Sequence, residues 1–408
     1  MPLALLALAI SAFGIGTTEF VMMGLLPNVA QDMGTSVPTA GYLVSAYAIG
    51  VVIGAPLLTA VGSRVPRKRM LVLLMGLFTV GNLASALAPG YAWLLAGRVL
   101  AGLPHGAFFG VGAVVAARLV TENRRARAVA TMFLGLTVAN IVGVPAGTAI
   151  GQALGWRATF VVVSAIGLLA MVTLTMLVPH LPLEHQRGVK HEVSALGHRQ
   201  VILGLLTAVF GFGGVFAVYS YLASIMTEVT GLADSSVTVV LALFGIGMTL
   251  GALVAGPLTD RALRPTLYGG LATLAVAMLV FHAVVDIKWA AMGMVVVLGG
   301  VGFMTTTPLQ MLIMQNARHA PTLASAGNQS AFNLANAGGA WLGGVAIAAG
   351  WGWTSPMLVG VALALVGLGI AVLAGVLDRD SSVPRSRIVA RGGVPRLRRV
   401  RPVESVSG

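Results

Sequence analysis

Glu19 stands inside an apolar stretch that runs from Leu3 to Leu26 and holds no other charge. Insertion scales put an acid at the centre of a membrane helix at roughly 2.5–3.5 kcal/mol, so an acid at that depth is read first as functional. Arg98 is the one basic residue set comparably deep in an apolar run. Counted from span midpoints near residues 15 and 104, Glu19 and Arg98 lie about 6 and about 9 Å off centre, towards the same side. A carboxylate poised between desolvation and a nearby cation can take a proton when a cavity opens to one side and release it to the other. The same pair also fits a plainer role, an ion pair that holds two helices together. His105 follows Arg98 by seven residues, on the same helical face. Its imidazole titrates in the useful range and could relay protons, or serve as a hydrogen-bonded packing residue beside Gly102 and Gly106.

A second constellation is polar and uncharged. Gln329, Asn333 and Asn336 recur at i, i+4 and i+7 of one apolar run. Amides in lipid need partners, so the stripe either faces a cavity and binds solute or bonds helix to helix. Gln310, Tyr219 and Asn140 could join it, and Phe20 with Met23 would suit an adaptable apolar pocket or an ordinary lipid face. No paired carboxylates, metal-ligand cluster or Walker pattern is present in the sequence. No enzyme, metal site, cofactor or ATP-driven pump is therefore expected. The absence of cysteine excludes disulfides and thiolate chemistry.

The elements that must position these groups are membrane helices. Of 408 residues, 57% are hydrophobic and 9% charged, against about 25% charged in soluble domains. Twelve runs reach the length a bilayer demands, at about 3–26, 38–62, 70–89, 91–117, 128–151, 157–178, 201–226, 237–259, 266–285, 290–314, 324–349 and 355–377. Glu19 interrupts the first run and no charge precedes it, so a retained span is expected there, not a cleaved signal. The net charge of +13 invites a nucleic-acid reading that its distribution refuses. Arg64, Arg67, Lys68 and Arg69 follow span 2, and Arg118, Arg124, Arg125 and Arg127 follow span 4. Further basic residues follow spans 6, 8, 10 and 12, while the opposite connections carry Arg157 and Lys288 among Asp32, Glu228, Asp234 and Asp286. That alternation is a topology signal, and it predicts a multi-pass cell-membrane protein with both termini in the cytoplasm.

The chain repeats itself. At an offset of 197 residues, Phe13 meets Phe210, Gly14 meets Gly211 and Gly16 meets Gly213. The register continues through Gly34/Gly231, Gly50/Gly247, Gly54/Gly251 and Arg64/Arg261. An offset of six spans predicts two six-helix halves in the same orientation, with cargo bound near the midplane between them. The expected units are 1–178, a short polar linker 179–200, 201–377, and a disordered basic tail 378–408, read first as a solvated topogenic tail and second as a segment that touches anionic lipid. Small residues form rows at helical spacing: Gly102, Gly106 and Gly110 in span 4; Gly135, Ala139, Gly143, Gly147, Gly151 and Gly155 in span 5; Ala335, Gly339 and Gly343 in span 11. Smooth faces let helices approach closely, and the span 5 row, with Pro145 inside it, is read as a moving interface.

Several motifs carry a family resemblance. Gly256-Pro257-Leu258-Thr259-Asp260-Arg261 resembles the loop signature of the major facilitator superfamily. Its counterpart after span 2 keeps Arg64 but has Ser63 at the aspartate position. Arg98 to Gly106 is similar to the family's buried-arginine motif. Gly143-Val144-Pro145-Ala146-Gly147 resembles its Gly-Pro antiporter signature, with one residue inserted between Gly and Pro. Together with Thr17 to Pro27 and Pro308 to Ala317, these resemble the twelve-span drug–proton antiporters. The branch is that of the arabinose-efflux-permease-like and chloramphenicol-resistance exporters. The resemblance spans all twelve runs and implies the all-α major facilitator fold. It also implies conformational loops at Ser63, Arg64, Asp260 and Arg261, and antiporter-motif packing at Gly143, Pro145 and Gly147. The implied activity is exchange of protons for a small amphipathic, uncharged or weakly polar drug of the phenicol type, since one membrane carboxylate provides little to neutralise a dication. Efflux of sugars or related metabolites is the alternative; a non-transporting sensor or scaffold lacks any signalling domain to support it. The expected partners are the small-molecule substrate, protons and lipid, with the chain acting as a monomer and no nucleic acid bound.

Overall fold

The computed structural model describes residues 3–62, 65–179, 199–316 and 321–381. Ser63, Arg64, linker residues 180–198 and tail residues 382–408 lie outside the described residues. Among those described, every regular element is helical. Span 1 is Leu3–Asp32, span 2 Val37–Gly62, span 3 Arg67–Ala86 and span 4 Tyr91–Arg118. Span 5 comprises Arg125–Val138, a π-helical turn at Ala139–Gly143, and Val144–Leu154. Span 6 is Trp156–Leu177, and span 7 is Arg199–Tyr219 continued by the short helix Leu222–Glu228. Spans 8 and 9 share Val237–Val284, broken where Ala262 leaves helical geometry (φ −158°, ψ 81°). Span 10 is Lys288–Met304 with Thr306–Asn316, span 11 Pro321–Ala348 and span 12 Ser355–Ser381.

Ten helical stretches are long and apolar enough to cross a membrane by length and composition. One of them, Asp234–Val284, holds two spans, and span 11 joins the set despite the amides that lower its hydropathy. The result is twelve. Span 12 runs four residues past the expected end at 377, and an ion pair between Arg264 and Asp378 ties its last turns to the kink after span 8. Trp93, Trp289 and Trp351 are exposed at the ends of spans 4, 10 and 11 away from the arginine-rich connections, where an interfacial aromatic belt belongs.

The 197-residue repeat holds at the level of contacts. A Cβ at Gly50 would strike the carbonyl of Val99, and one at Gly247 the carbonyl of Val296. Gly54 faces the backbone of Leu103 as Gly251 faces Gly300, and Gly102 faces the carbonyl of Tyr47 as Gly299 faces that of Phe244. Each partner is displaced by the same 197 residues. The turns repeat too: Gly34 and Gly231 take φ +62° and +68°, and Gly155 and Gly352 take +88° and +86°. At Gly155 one residue turns the chain from span 5 into span 6, a left-handed conformation that glycine adopts without a Cβ penalty.

The two halves meet unevenly. On the side away from the basic connections, one apolar core takes side chains from both halves, including Met22, Met23, Leu26, Phe160, Phe216, Tyr221, Phe244 and Phe281. Towards the basic side the core divides. One cluster around Leu8, Phe78, Phe108 and Leu174 belongs to the first half, and another around Leu267, Leu271 and Leu309 to the second. Among the described residues, the apolar core is shared by the halves on one side and split between them on the other.

The rows of small residues pack inside the halves. In span 5, Gly135 faces the carbonyl of Ala9, Gly143 the hydroxyl of Thr17, Gly147 Val21 and Gly151 Leu25, all in span 1 of the same half. In span 4, Gly102 and Gly106 pack on span 2 while Gly110 faces open space, and the span 11 row packs on Gly213 and Ala217 of span 7. None of the three rows is the surface between the halves. Close approach inside a six-helix unit consumes them.

Candidate functional site

Pro145 cannot donate to a carbonyl one turn back, and the helix before it opens into the π-turn Ala139–Gly143. Such a turn takes up one residue more than α geometry. The residue inserted between Gly143 and Pro145 is therefore absorbed by the backbone, and α-helix resumes at Val144. The bulge presents Asn140 to the other half: the backbone of Asn140 and Ile141 lies against Gly245 of span 8. Asn140 Nδ2 donates to the carbonyl of Leu136 at 3.1 Å, while its Oδ1 has no partner.

Glu19 is buried, at 7% exposure. Its carboxylate makes no hydrogen bond and has no cation within ion-pair distance among the described residues. It lies within electrostatic reach of Arg98 and Tyr47 from its own half and of Tyr219 from the other. The neighbouring Phe20 stacks on Phe216 at 6.2 Å and packs against Tyr219 at 5.8 Å. Glu19 thus sits at the seam of the two halves.

Arg98 is fully buried and does not pair with Glu19. Nη1 donates to Thr18 Oγ1 at 3.2 Å and Nη2 to the Thr18 carbonyl at 3.0 Å. The guanidinium lies over the rings of Tyr47 at 4.5 Å and Phe160 at 5.5 Å, contacts worth about 2 kcal/mol when desolvated. Tyr47 also connects to His105, its hydroxyl 3.1 Å from Nδ1. On its far side, His105 Nε2 is 3.5 Å from Gln329 Nε2 in span 11. An amide nitrogen donates, so with this orientation Nε2 accepts and Nδ1–H donates to Tyr47. His105 therefore links the halves, as do Ser45 Oγ donating to the carbonyl of Ala337 at 2.9 Å and Gln152 Nε2 donating to that of Asp234 at 2.9 Å.

The remaining candidates divide. Tyr219 stacks on Phe244 at 3.9 Å. Phe212 joins Phe216, Phe303 and Phe332, so spans 7, 10 and 11 line an aromatic wall facing Phe20. Asn333 and Asn336 are buried, and Asn333 Oδ1 and both ends of Asn336 lack partners. Met23 is wholly enclosed in the core that seals the halves, so in this arrangement it lines no pocket. Gln310 is exposed and no hydrogen bond joins it to the others. Asp260 and Arg261 are likewise exposed beside the kink, where Arg264 makes the ion pair instead. Gly143 and Gly147 pack span 5 on span 1.

Tyr47 carries no signal of its own in the sequence. Tyr47 precedes Gly50 by three residues, hence shares its face. The matching rows Gly50/Gly54 and Gly102/Gly106 were the available sign that this face meets span 4.

Residues 8–337 match the model of the Major Facilitator Superfamily. The chain is 45% identical over 369 residues to inner membrane transport protein YdhP of Escherichia coli (strain K12), covering 90% of this chain and 94% of that protein. It is 33% identical over 372 residues to a chloramphenicol resistance protein of Streptomyces lividans, covering 89% and 95%. A solved bacterial homologue of the human lysosomal transporter Spinster, in an inward-facing and unoccupied conformation, superposes with TM-score 0.76 at 16% identity over 94% of this chain and 98% of that one. With its twelve membrane helices and two repeated halves, the chain belongs to the major facilitator superfamily and is a transporter, not an enzyme.

Proposed function

We propose that this transporter is a proton-coupled antiporter that exports a small amphipathic solute, a phenicol-type antibiotic among its cargo. One observation carries the reading: Glu19, a buried carboxylate at the seam between the halves, has no fixed counter-ion. Such a group can exchange a proton with whichever side the cavity opens to, and cargo seated beside it competes for that exchange. Phe20, Phe212, Phe216 and Tyr219 are closed into the shared core in this arrangement, and their ring faces would suit an aryl solute once the halves part. The arginine-rich connections support, by the positive-inside rule, a cytoplasmic location for both termini and for the divided side. In inverted vesicles with an acidified lumen, adding chloramphenicol should dissipate the pH gradient in proportion to the protein present. A gradient indifferent to chloramphenicol rules out the phenicol assignment. A second reading, efflux of a sugar, draws on the open hydrogen-bonding groups of Asn333 and Asn336. It predicts the same dissipation with arabinose in place of the drug.

A further inference from the structure

Behind Glu19, three fully buried polar side chains from spans 1, 3 and 4 are wired in series. Asn82 Nδ2 donates to the carbonyl of Phe78 at 2.8 Å, which turns its Oδ1 towards span 1. Thr18 Oγ1 donates to that oxygen at 2.5 Å. A hydroxyl has one proton. With it committed to Asn82, the Thr18 oxygen offers Arg98 only lone pairs, and Arg98 Nη1 takes one. Nη2 is held by the Thr18 carbonyl, so the guanidinium is bound to the residue preceding Glu19 and stops short of the carboxylate. Asn82 touches neither Arg98 nor Glu19 by hydrogen bond, yet it decides which way the Thr18 hydroxyl points.

We propose that Thr18 and Asn82 are positioning residues that hold Arg98 back from Glu19 and so keep the acid exchangeable. This rests on the coupling role proposed for Glu19. A guanidinium freed from Thr18 Oγ1 has the carboxylate of the adjoining residue, Glu19, as the neighbouring acid. A direct pair would hold the carboxylate ionised and oppose protonation.

The test reads Glu19 without cargo. In the full chain reconstituted in lipid, infrared difference titration locates the protonated-carboxyl band that Glu19→Gln removes. Thr18→Val and Asn82→Ala should each lower the proton affinity of that group about tenfold, within the range an opposing charge produces. Thr18→Ser, which keeps the hydroxyl, should titrate like the wild type. Unmoved midpoints in Thr18→Val and Asn82→Ala overturn the proposal, as does a Thr18→Ser shift equal to that of Thr18→Val. Where Thr18→Val yields no folded protein, Asn82→Ala with Thr18→Ser decides alone. The coupling role fails separately, if Glu19→Gln still moves chloramphenicol with a pH gradient.

Discussion

Replacing Glu19 by glutamine should abolish proton-driven export while leaving folded protein at wild-type yield. The amide matches the carboxyl in shape but cannot ionise. Glu19 gives up no hydrogen bond or ion pair in the exchange, because it makes none. Arg98 keeps its acceptors, since both belong to Thr18. The loss therefore falls on energy coupling and not on the fold. Each proton crossing 100 mV supplies about 2.3 kcal/mol, enough to hold roughly a 50-fold cargo gradient, at 1.4 kcal/mol per factor of ten. The variant should let cargo equilibrate and hold no gradient. Steady-state chloramphenicol accumulation in energised cells measures this directly. A Glu19→Gln protein that still excludes the drug when a pH gradient is applied would remove the acid from the mechanism. A variant that does not fold would mean that the carboxylate is structural after all.

Much of this arrangement could be read from residues. The depth of Glu19, the 197-residue register and the row of glycines facing span 2 are one-dimensional facts with direct three-dimensional consequences. The residue inserted before Pro145 had a structural meaning, the π-turn, that spacing alone did not disclose. Other features depended on which neighbour a helix meets. A row of small residues announces close approach but not its partner, and span 5 spends its row on span 1. The surface of span 5 that meets the other half is the one carrying Asn140, against Gly245. Arg98 invited pairing with the nearest acid in sequence logic, yet the polar groups of Thr18 were one residue closer and already oriented by Asn82. Side-chain chains of that kind depend on rotamers across three helices, and no periodicity encodes them. Met23 is the plainest case: a flexible side chain beside the acid fits pocket and core equally well until the second half closes over it.

The repeat also shows where the halves have parted company. Shifting Glu19, Arg98 and His105 by 197 lands on Phe216, Val295 and Gly302. Shifting Gln329, Asn333 and Asn336 back lands on Met132, Leu136 and Ala139. The ionisable groups thus belong to one half, and the amide stripe to the other. Between them, Tyr47, His105 and Gln329 form the hydrogen-bonded crossing. Such a crossing spans the two halves, so its hydrogen bonds must lengthen or break if the halves move apart there.

Helix packing, by contrast, has stayed symmetric, and this makes the second large prediction. Valine at Gly54 should eliminate folded protein, and valine at Gly251 should do the same. In each case the new Cβ meets backbone, that of Leu103 or of Gly300. No rotamer relieves a clash with a carbonyl, so spans 2 and 4, or 8 and 10, must move apart. Overpacking typically costs 1–3 kcal/mol, and about 3 or more is expected where the obstruction is backbone. Gly110 and Gly256 supply the controls. Gly110 extends the same row as Gly102 and Gly106, but a Cβ at either Gly110 or Gly256 meets open space. Valine there should leave the monodisperse yield and melting temperature in detergent unchanged. Equal losses at Gly54 and Gly251 with none at the controls would mean that both halves still obey one packing rule. Loss at Gly54 alone would mean that the second half has loosened that rule along with its chemistry.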